Sequence, residues 1–407
     1  MMRLLQGDVG SGKTLVALLT MLNVVDSGHQ SALMAPTDLL SHQHYQFFTK
    51  ALSSLNIKVA LLTGKNTAKE KREIKQKLST GEINILIGTH ALFQDNVGFK
   101  NLGYIVIDEQ HRFGVNQRMD LINKASSPDV LVMTATPIPR SLTLTIFGDM
   151  HVSLIKSKPN NRLPIITSLI STDKKQQVID SLQKRLDIGE KIYWVCPLVD
   201  ESEEKQSEVS EDGYCLADVT NMRKELEQAF PKQVGILHGK MKAADKDNAM
   251  QNFKSGEVKI LVATTVIEVG IDVPDATLII IENAEKFGLA QLHQLRGRVG
   301  RGSLQSYCLL MYNYKRLSKI ARRRLEIMRE SNDGFFISEQ DLILRGGGEI
   351  LGTKQSGEPE FFFANLGRDK EILLKANNFA DSIERSELID FQVRLFDREK
   401  HELTKSG

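Results

Sequence analysis

"GDVGSGKT", residues 7–14, is the stretch from which the fold can be read. It meets every defined position of G-x-x-x-x-G-K-[ST] through Gly7, Gly12, Lys13 and Thr14, and it lies between the strand-like "RLLQ" of residues 3–6 and the helical "TLVALLTMLNVV" of residues 14–25. Glycines so placed let backbone N–H groups wrap phosphates at a helix N-terminus. Lys13 then reaches the β- and γ-phosphates of a bound nucleotide, the Thr14 hydroxyl ligates magnesium, and Asp8, Val9, Gly10 and Ser11 complete the cradle. The plain alternative is a flexible glycine-rich turn, and the strand-loop-helix context argues against it.

A phosphate loop alone does not separate kinases from motors, so a second carboxylate site matters. "YIVIDEQH" from residue 104 places Asp108 and Glu109 at the C-terminal end of an apolar strand. Asp108 is suited to hold magnesium through water, and Glu109 to orient or deprotonate an attacking water. "MTATPIPR" from Met133 ends the next strand in Thr134 and Thr136, which can hydrogen-bond toward the acidic pair. Farther on, "QLHQLRGRVGRG" from residue 291 carries Gln294, Arg296, Arg298 and Arg301. Arginines on a helix are often only a solvated face. Here the spacing of Arg298 and Arg301 puts them on one helix face, from which they can clamp a γ-phosphate held by the first half of the chain.

Around these motifs, short Val/Ile/Leu runs alternate with helical stretches, as in buried parallel strands joined by helices. One series is "SALMAP", "INILIGT", "YIVIDE" and "DVLVMTAT"; a second is "KIYWVCPLV", "QVGILHG", "KILVATTV", "ATLIIIEN" and "QSYCLLMY". The expected fold class is α/β, with two tandem doubly wound parallel sheets and a helical C-terminal extension. The expected domains are 1–154, a linker at 155–170 beginning with "IKSKPNN", a second domain at 171–314 and the extension at 315–407. The acidic segment from Val199 to Ala217 reads as a solvated loop.

The 53 Lys and Arg of the 407 residues nearly balance the 51 Asp and Glu, so nucleic-acid binding must come from local patches. Cys196, Cys215 and Cys308 are too few and scattered for a disulfide framework or a zinc site and read as reduced core thiols. No run approaches the ~18 apolar residues of a membrane span. No signal-peptide pattern opens the chain, and the expected location is cytoplasmic.

The ordered set "GDVGSGKT", "APTDLL", "GTHAL", "DEQH", "TAT", "ATTVIEVGIDVP" and "QLRGRVGR" resembles the motif series of superfamily 2 helicases, which implies that the two sheets are RecA-like P-loop NTPase domains. Within it, "DEQHRFGVNQR", "MTATPIPRSL", "QLHQLRGRVGRG" and "LRGGGEILGTKQSG" resemble the RecG family of branched-DNA helicases. "GSGKT" and "DEQHRFGV" favour that family over the motor of the transcription-repair coupling factors. The resemblance implies an ATP- and Mg2+-dependent motor acting on replication forks and Holliday junctions in recombination and repair, monomeric and associated with a bacterial nucleoid. It assigns DNA-backbone contacts to Pro36, Thr37, Gly88, Thr89, His90, Thr264 and Thr265, and nucleotide contacts to Gly270 and Asp272. His111, Thr134, Thr136 and Gln294 become coupling residues. "YKRLSKIARRRLEIMRE" with the glycine-rich stretch matches the family's translocation hairpin, with Arg322, Arg323 and Arg324 as phosphate contacts. Arg345, Gly346, Glu349 and Gln355 fall on its loop. The family carries an OB-like wedge domain ahead of the phosphate loop. The expectation is therefore a motor whose wedge is supplied by another chain or a longer gene product. A second reading is a split-gene remnant that only binds nucleotide.

Overall fold

Apolar runs bounded by turn residues become strands, and the helices between them return the chain so that every strand pair is parallel. The computed structural model describes residues 1–93, 97–109, 124, 128–135, 150–157, 162–197, 211–265, 273–349, 372, 375–376 and 379. The first half runs β1 (Met2–Gly7), α1 (Lys13–Asp26), β2 (Gln30–Met34), α2 (Asp38–Ala51), β3 (Val59–Leu62), α3 (Ala68–Thr80), β4 (Ile85–Gly88), β5 (Leu102–Asp108), β6 (Asp129–Thr134) and β7 (His151–Ile155). These strands form a seven-stranded sheet in the order β3-β4-β2-β5-β6-β1-β7. The second half runs β8 (Ile166–Ser171), α4 (Lys175–Asp187), β9 (Lys191–Val195), α5 (Glu211–Ala229), β10 (Val234–Leu237), α6 (Ala243–Ser255), β11 (Ile260–Ala263), β12 (Ala276–Ile281), α7 (Leu289–Arg296), β13 (Tyr307–Tyr312), α8 (Lys319–Glu330) and α9 (Gly334–Glu349). Its sheet has six strands in the order β10-β11-β9-β12-β13-β8.

Each sheet has its own core. Leu18, Met21, Leu33, Phe48, Val106 and Leu131 fill one between the first sheet, α1 and α2. Leu182, Trp194, Leu226, Val262 and Ile280 fill the other. The chain resolves into two compact units, Met1–Pro137 with Met150–Ser338, and Ile138–Asp149 with Glu339–Gly407; the first contains both sheets.

Several elements differ from the sequence expectation, for identifiable reasons. Residues 155–170 do not all link, because Ile166–Ser171 pairs in register with Tyr307–Tyr312 as an edge strand. β7, with polar His151 and Ser153, pairs with β1 at the other sheet's edge, where a continuous apolar run is not required. α5 begins at Glu211, inside the segment read as a loop, whose residues 199–210 lie outside the described ones. α9 continues through Glu349, so Arg345, Gly346 and Glu349 have helical backbone rather than loop backbone. Glycine disfavours a helix by only about 1 kcal/mol per residue, which an established helix tolerates. Gln355 lies outside the described residues.

Candidate nucleotide and DNA-facing site

β5, β6 and β1 are neighbours in one parallel sheet, so their C-terminal ends open at one edge, where open α/β sheets receive ligands. The phosphate loop follows β1, the acidic pair ends β5, and Thr134 ends β6. Gly12 is the N-cap of α1 at φ 98° and contributes no side-chain cap, which leaves the helix N-terminus to a ligand. Gly10 stands at φ 75°, a left-handed conformation that favours glycine, and the Arg162 guanidinium lies against it where a Cβ would be. Lys13 Nζ donates to the carbonyls of Gly7 at 2.6 Å and Asp8 at 3.0 Å. Burial pulls its pKa below the ordinary lysine value, against the opposing pull of Glu109, Asp108 and Asp8. The buried Ser11 hydroxyl has no hydrogen-bond partner among the described residues, as a cradle shaped for phosphate oxygens requires.

Asp108 is buried, and its Oδ2 accepts a hydrogen bond from His44 Nε2 at 2.9 Å. Glu109 stands at φ 50°, a left-handed conformation that costs a non-glycine residue of order 1 kcal/mol, and its carboxylate accepts from the Ala135 N–H at 3.2 Å. Burial first and the Asp108 charge second push the Glu109 pKa up to about 7, while Lys13, the Ala135 N–H and Arg298 pull it back. A carboxyl poised there is matched to proton transfer near neutral pH.

The second sheet supplies the arginines. Arg298 is buried and close enough to Glu109 for its charge to favour the carboxylate, and Arg301 is close enough to Lys13 to disfavour its ammonium. They do not share a helix face, however. α7 ends at Arg296 with Gly297 as its C-cap, and Gly300 takes φ 74°, so both arginines leave from the turn beyond the helix. Arg301 Nε donates to the Gly297 carbonyl at 3.1 Å. Gln294 is half-buried on α7.

A further chain of hydrogen bonds crosses between the sheets. His293 Nε2 stands 3.1 Å from Asp8 Oδ1, and Arg296 Nη2 stands 3.2 Å from His293 Nδ1. A guanidinium only donates, so Nδ1 accepts and Nε2–H donates to Asp8. Arg296 Nη1 continues to the Met328 and Ser331 carbonyls, each at 2.8 Å, at the C-terminal end of α8. Burial lowers the pKa of Arg296.

The residues expected to meet DNA are placed unevenly. Thr37 is the N-cap of α2, its hydroxyl accepting from Leu40 N, and Pro36 is half-buried beside it. Gly88 ends β4; Thr89 is buried and its hydroxyl donates to Asp38 at 3.5 Å. His90 opens a short 3-10 turn, and its side chain is outside the described set. Thr264 is buried and Thr265 half-buried. Arg322 and Arg323 are exposed near Glu326, but Arg324 turns inward and donates to the Phe287 carbonyl at 2.7 Å and that of Glu285 at 3.3 Å. Its donors tie α8 to the second sheet rather than to a phosphate: one arginine of three consecutive helical positions must face the apolar side of α8 with Ala321, Leu325 and Met328. His111, Thr136, Gly270 and Asp272 lie outside the described residues.

Sequence reading passed over His44 and His293 as functional positions and named Arg296 in its motif without giving it a role of its own. His44 has a detectable signal, since it and Phe48 are four apart on the sheet-facing side of α2. His293 and Arg296 sit three apart on α7. Cys196 and Cys308 are buried thiols, the second pushed up to about 12 by its burial, and the Cys215 side chain lies outside the described set. No described helix is long and apolar enough to cross a membrane.

Comparison with known proteins agrees with this geometry. Residues 2–145 match the DEAD/DEAH box helicase family, 173–303 the helicase conserved C-terminal domain, and 331–394 the ATP-dependent DNA helicase RecG, domain 3, C-terminal family. The ATP-dependent DNA helicase RecG of Synechocystis is 50% identical over 94% of this chain and 45% of its own length. That of Escherichia coli K12 is 46% identical over 94% of this chain and 55% of its own. A solved RecG bound to a three-way DNA junction superposes with a TM-score of 0.72 at 43% identity, covering 91% of this chain and 47% of that one. Yeast Dbp5, at 18% identity and a TM-score of 0.59, shares the fold. The chain thus spans about half the length of the curated relatives it matches. Across that span, from the phosphate loop to the glycine-rich helix, its sequence and fold match the corresponding half of the RecG helicases.

Proposed function

We propose that this chain is an ATP-driven motor for branched DNA, hydrolysing ATP in the cleft between its two sheets. The observation that carries the reading is the placement of Arg298 and Arg301, from the second sheet, within electrostatic reach of Glu109 and Lys13 in the first. Neither sheet alone has both an activated-water carboxylate and the cations for transition-state charge. The relatives named above are ATP-dependent DNA helicases, and one is solved on a three-way junction.

In this reading Lys13 leaves the loop carbonyls for the phosphates, Glu109 takes the proton of the attacking water, and Arg298 and Arg301 meet the γ-phosphate. Thr14 and Asp108 are hard oxygen donors of the kind magnesium takes, at the start of α1 and the end of β5. Magnesium, when bound there, neutralises charge on the phosphates. The N-terminus of α2 with Pro36 and Thr37, the Gly88–His90 turn, Thr265 and the exposed Arg322 and Arg323 face DNA phosphates, which position a strand without reading its sequence.

The test is ATP hydrolysis by the whole chain with and without a three-way DNA junction. The junction is expected to raise the rate, and Lys13→Ala to abolish hydrolysis in both conditions. A chain that hydrolyses no ATP, or hydrolyses it indifferently to DNA, would overturn the proposal.

A further inference from the structure

The His44–Asp108 bond joins two parts of the site that the motifs treat separately. α2 begins at the Pro36–Thr37 turn, proposed above to face DNA, and is tied to the Thr89 turn by the Thr89–Asp38 bond. Six residues after Asp38, His44 points from the same helix into the sheet and meets Asp108 at 2.9 Å, with both side chains buried. A carboxylate only accepts, so His44 Nε2 carries the hydrogen and donates it. The ring is braced by the edge of Phe48, 6.5 Å away centroid to centroid. One helix therefore links the end proposed above to face DNA with, about two turns on, a hydrogen bond to the carboxylate suited to magnesium.

We infer that His44 is a positioning residue through which DNA engagement at the start of α2 sets the orientation of Asp108 and so accelerates ATP hydrolysis. The inference rests on the function proposed above and names the path by which DNA acts on that site. With His44 engaged, one Asp108 oxygen is occupied and the other is left for the metal side. A shift of α2 on DNA moves the donor and with it the carboxylate. Partners that orient metal ligands are worth about 10- to 100-fold in metal affinity or activity.

The experiment compares wild type, His44→Phe, which keeps the packing on Phe48 but has no donor, and His44→Gln, which keeps an N–H donor. Three quantities are read: the ratio of ATPase rates with and without a three-way junction, junction binding by fluorescence anisotropy, and the Mg2+ concentration that half-saturates binding of a fluorescent ATP analogue. In His44→Phe the stimulation ratio is expected to fall about tenfold or more and the Mg2+ requirement to rise, with junction affinity unchanged; His44→Gln is expected to stay within about threefold of wild type. A His44→Phe protein with the wild-type ratio overturns the inference. So does an equal fall in basal and stimulated rates, or a His44→Gln protein as impaired as His44→Phe. A wild-type rate indifferent to DNA overturns the proposed function itself and the relay with it, and that result is distinct from a stimulated wild type with a stimulated His44→Phe.

Discussion

Two histidine–aspartate pairs stand at the candidate nucleotide site, both buried and of similar length, and they differ in what they join. His44 and Asp108, 2.9 Å apart, belong to one sheet and its flanking helix. His293 and Asp8, 3.1 Å apart, belong to different sheets. The first pair exists whenever the first sheet is folded, so it adjusts the chemistry of a preformed carboxylate. The second exists only when the sheets meet, so it responds to closure. The same division runs through the charges: Lys13, Asp108 and Glu109 lie on one side, and Arg298 and Arg301 reach them from the other.

The largest effect that probes this division is expected from Arg298→Ala. An arginine supplied across a cleft to a phosphoryl transition state is worth about a thousandfold or more in rate. Stopped-flow hydrolysis by Arg298→Ala should show kcat lowered by that order, while nucleotide affinity, which rests on the first sheet, changes by much less. Equal losses in kcat and affinity would break the division, because Arg298 would then hold the ground state as firmly as the transition state.

A smaller effect comes from within the first sheet. In the proposed mechanism Glu109 is the base, a role it can fill only when ionised, and burial beside Asp108 raises its pKa to about 7. The sign follows: below pH 7 the carboxyl is protonated, so kcat/KM, which reports the free enzyme, should fall about tenfold per pH unit on the acid side and level off above it. Because Arg298 is among the charges that favour the ionised form, the limb should move to higher pH in Arg298→Ala. A profile flat from pH 6 to 8 would mean that Glu109 is not the base.

The parts of this arrangement legible in the sequence are those with short local signatures. "GDVGSGKT" marked β1, the loop and α1 because glycine, lysine and strand-helix context lie within a dozen residues, and "YIVIDE" marked the end of β5 in the same way. Arg298 and Arg301 were legible as residues, but their departure from the turn after Gly297 was not, since i, i+3 spacing fits a helix as well as a turn. The inward course of Arg324 was hidden because three consecutive arginines read as one patch until the apolar face of α8 is known. His44 and His293 were hidden for a different reason. Each partner is remote in sequence, 64 residues away for Asp108 and 285 for Asp8, and only the strand order brings them together.

The smallest expected effect tests the pair that crosses between the sheets. His293 Nε2–H donates to the Asp8 carboxylate while Arg296 donates to Nδ1, so the bond is polarised from both ends and shielded from water. Such a charge-assisted bond contributes about 1.5 kcal/mol at the low end of its range, roughly a tenfold change in the balance between closed and open sheets. With spin labels on each sheet and no nucleotide, His293→Ala should lower the closed fraction by about that factor, and Asp8→Asn, which keeps an oxygen acceptor but loses the charge, by less. The double variant should be no more open than His293→Ala alone, because both substitutions act on one bond that His293→Ala already removes, and coupled sites are not additive. Additive opening would show instead that each residue acts through separate neighbours. Asp8 would then be held by the phosphate loop and His293 by Arg296, and closure would rest on the arginines and on the packing of Val9 against Gly297.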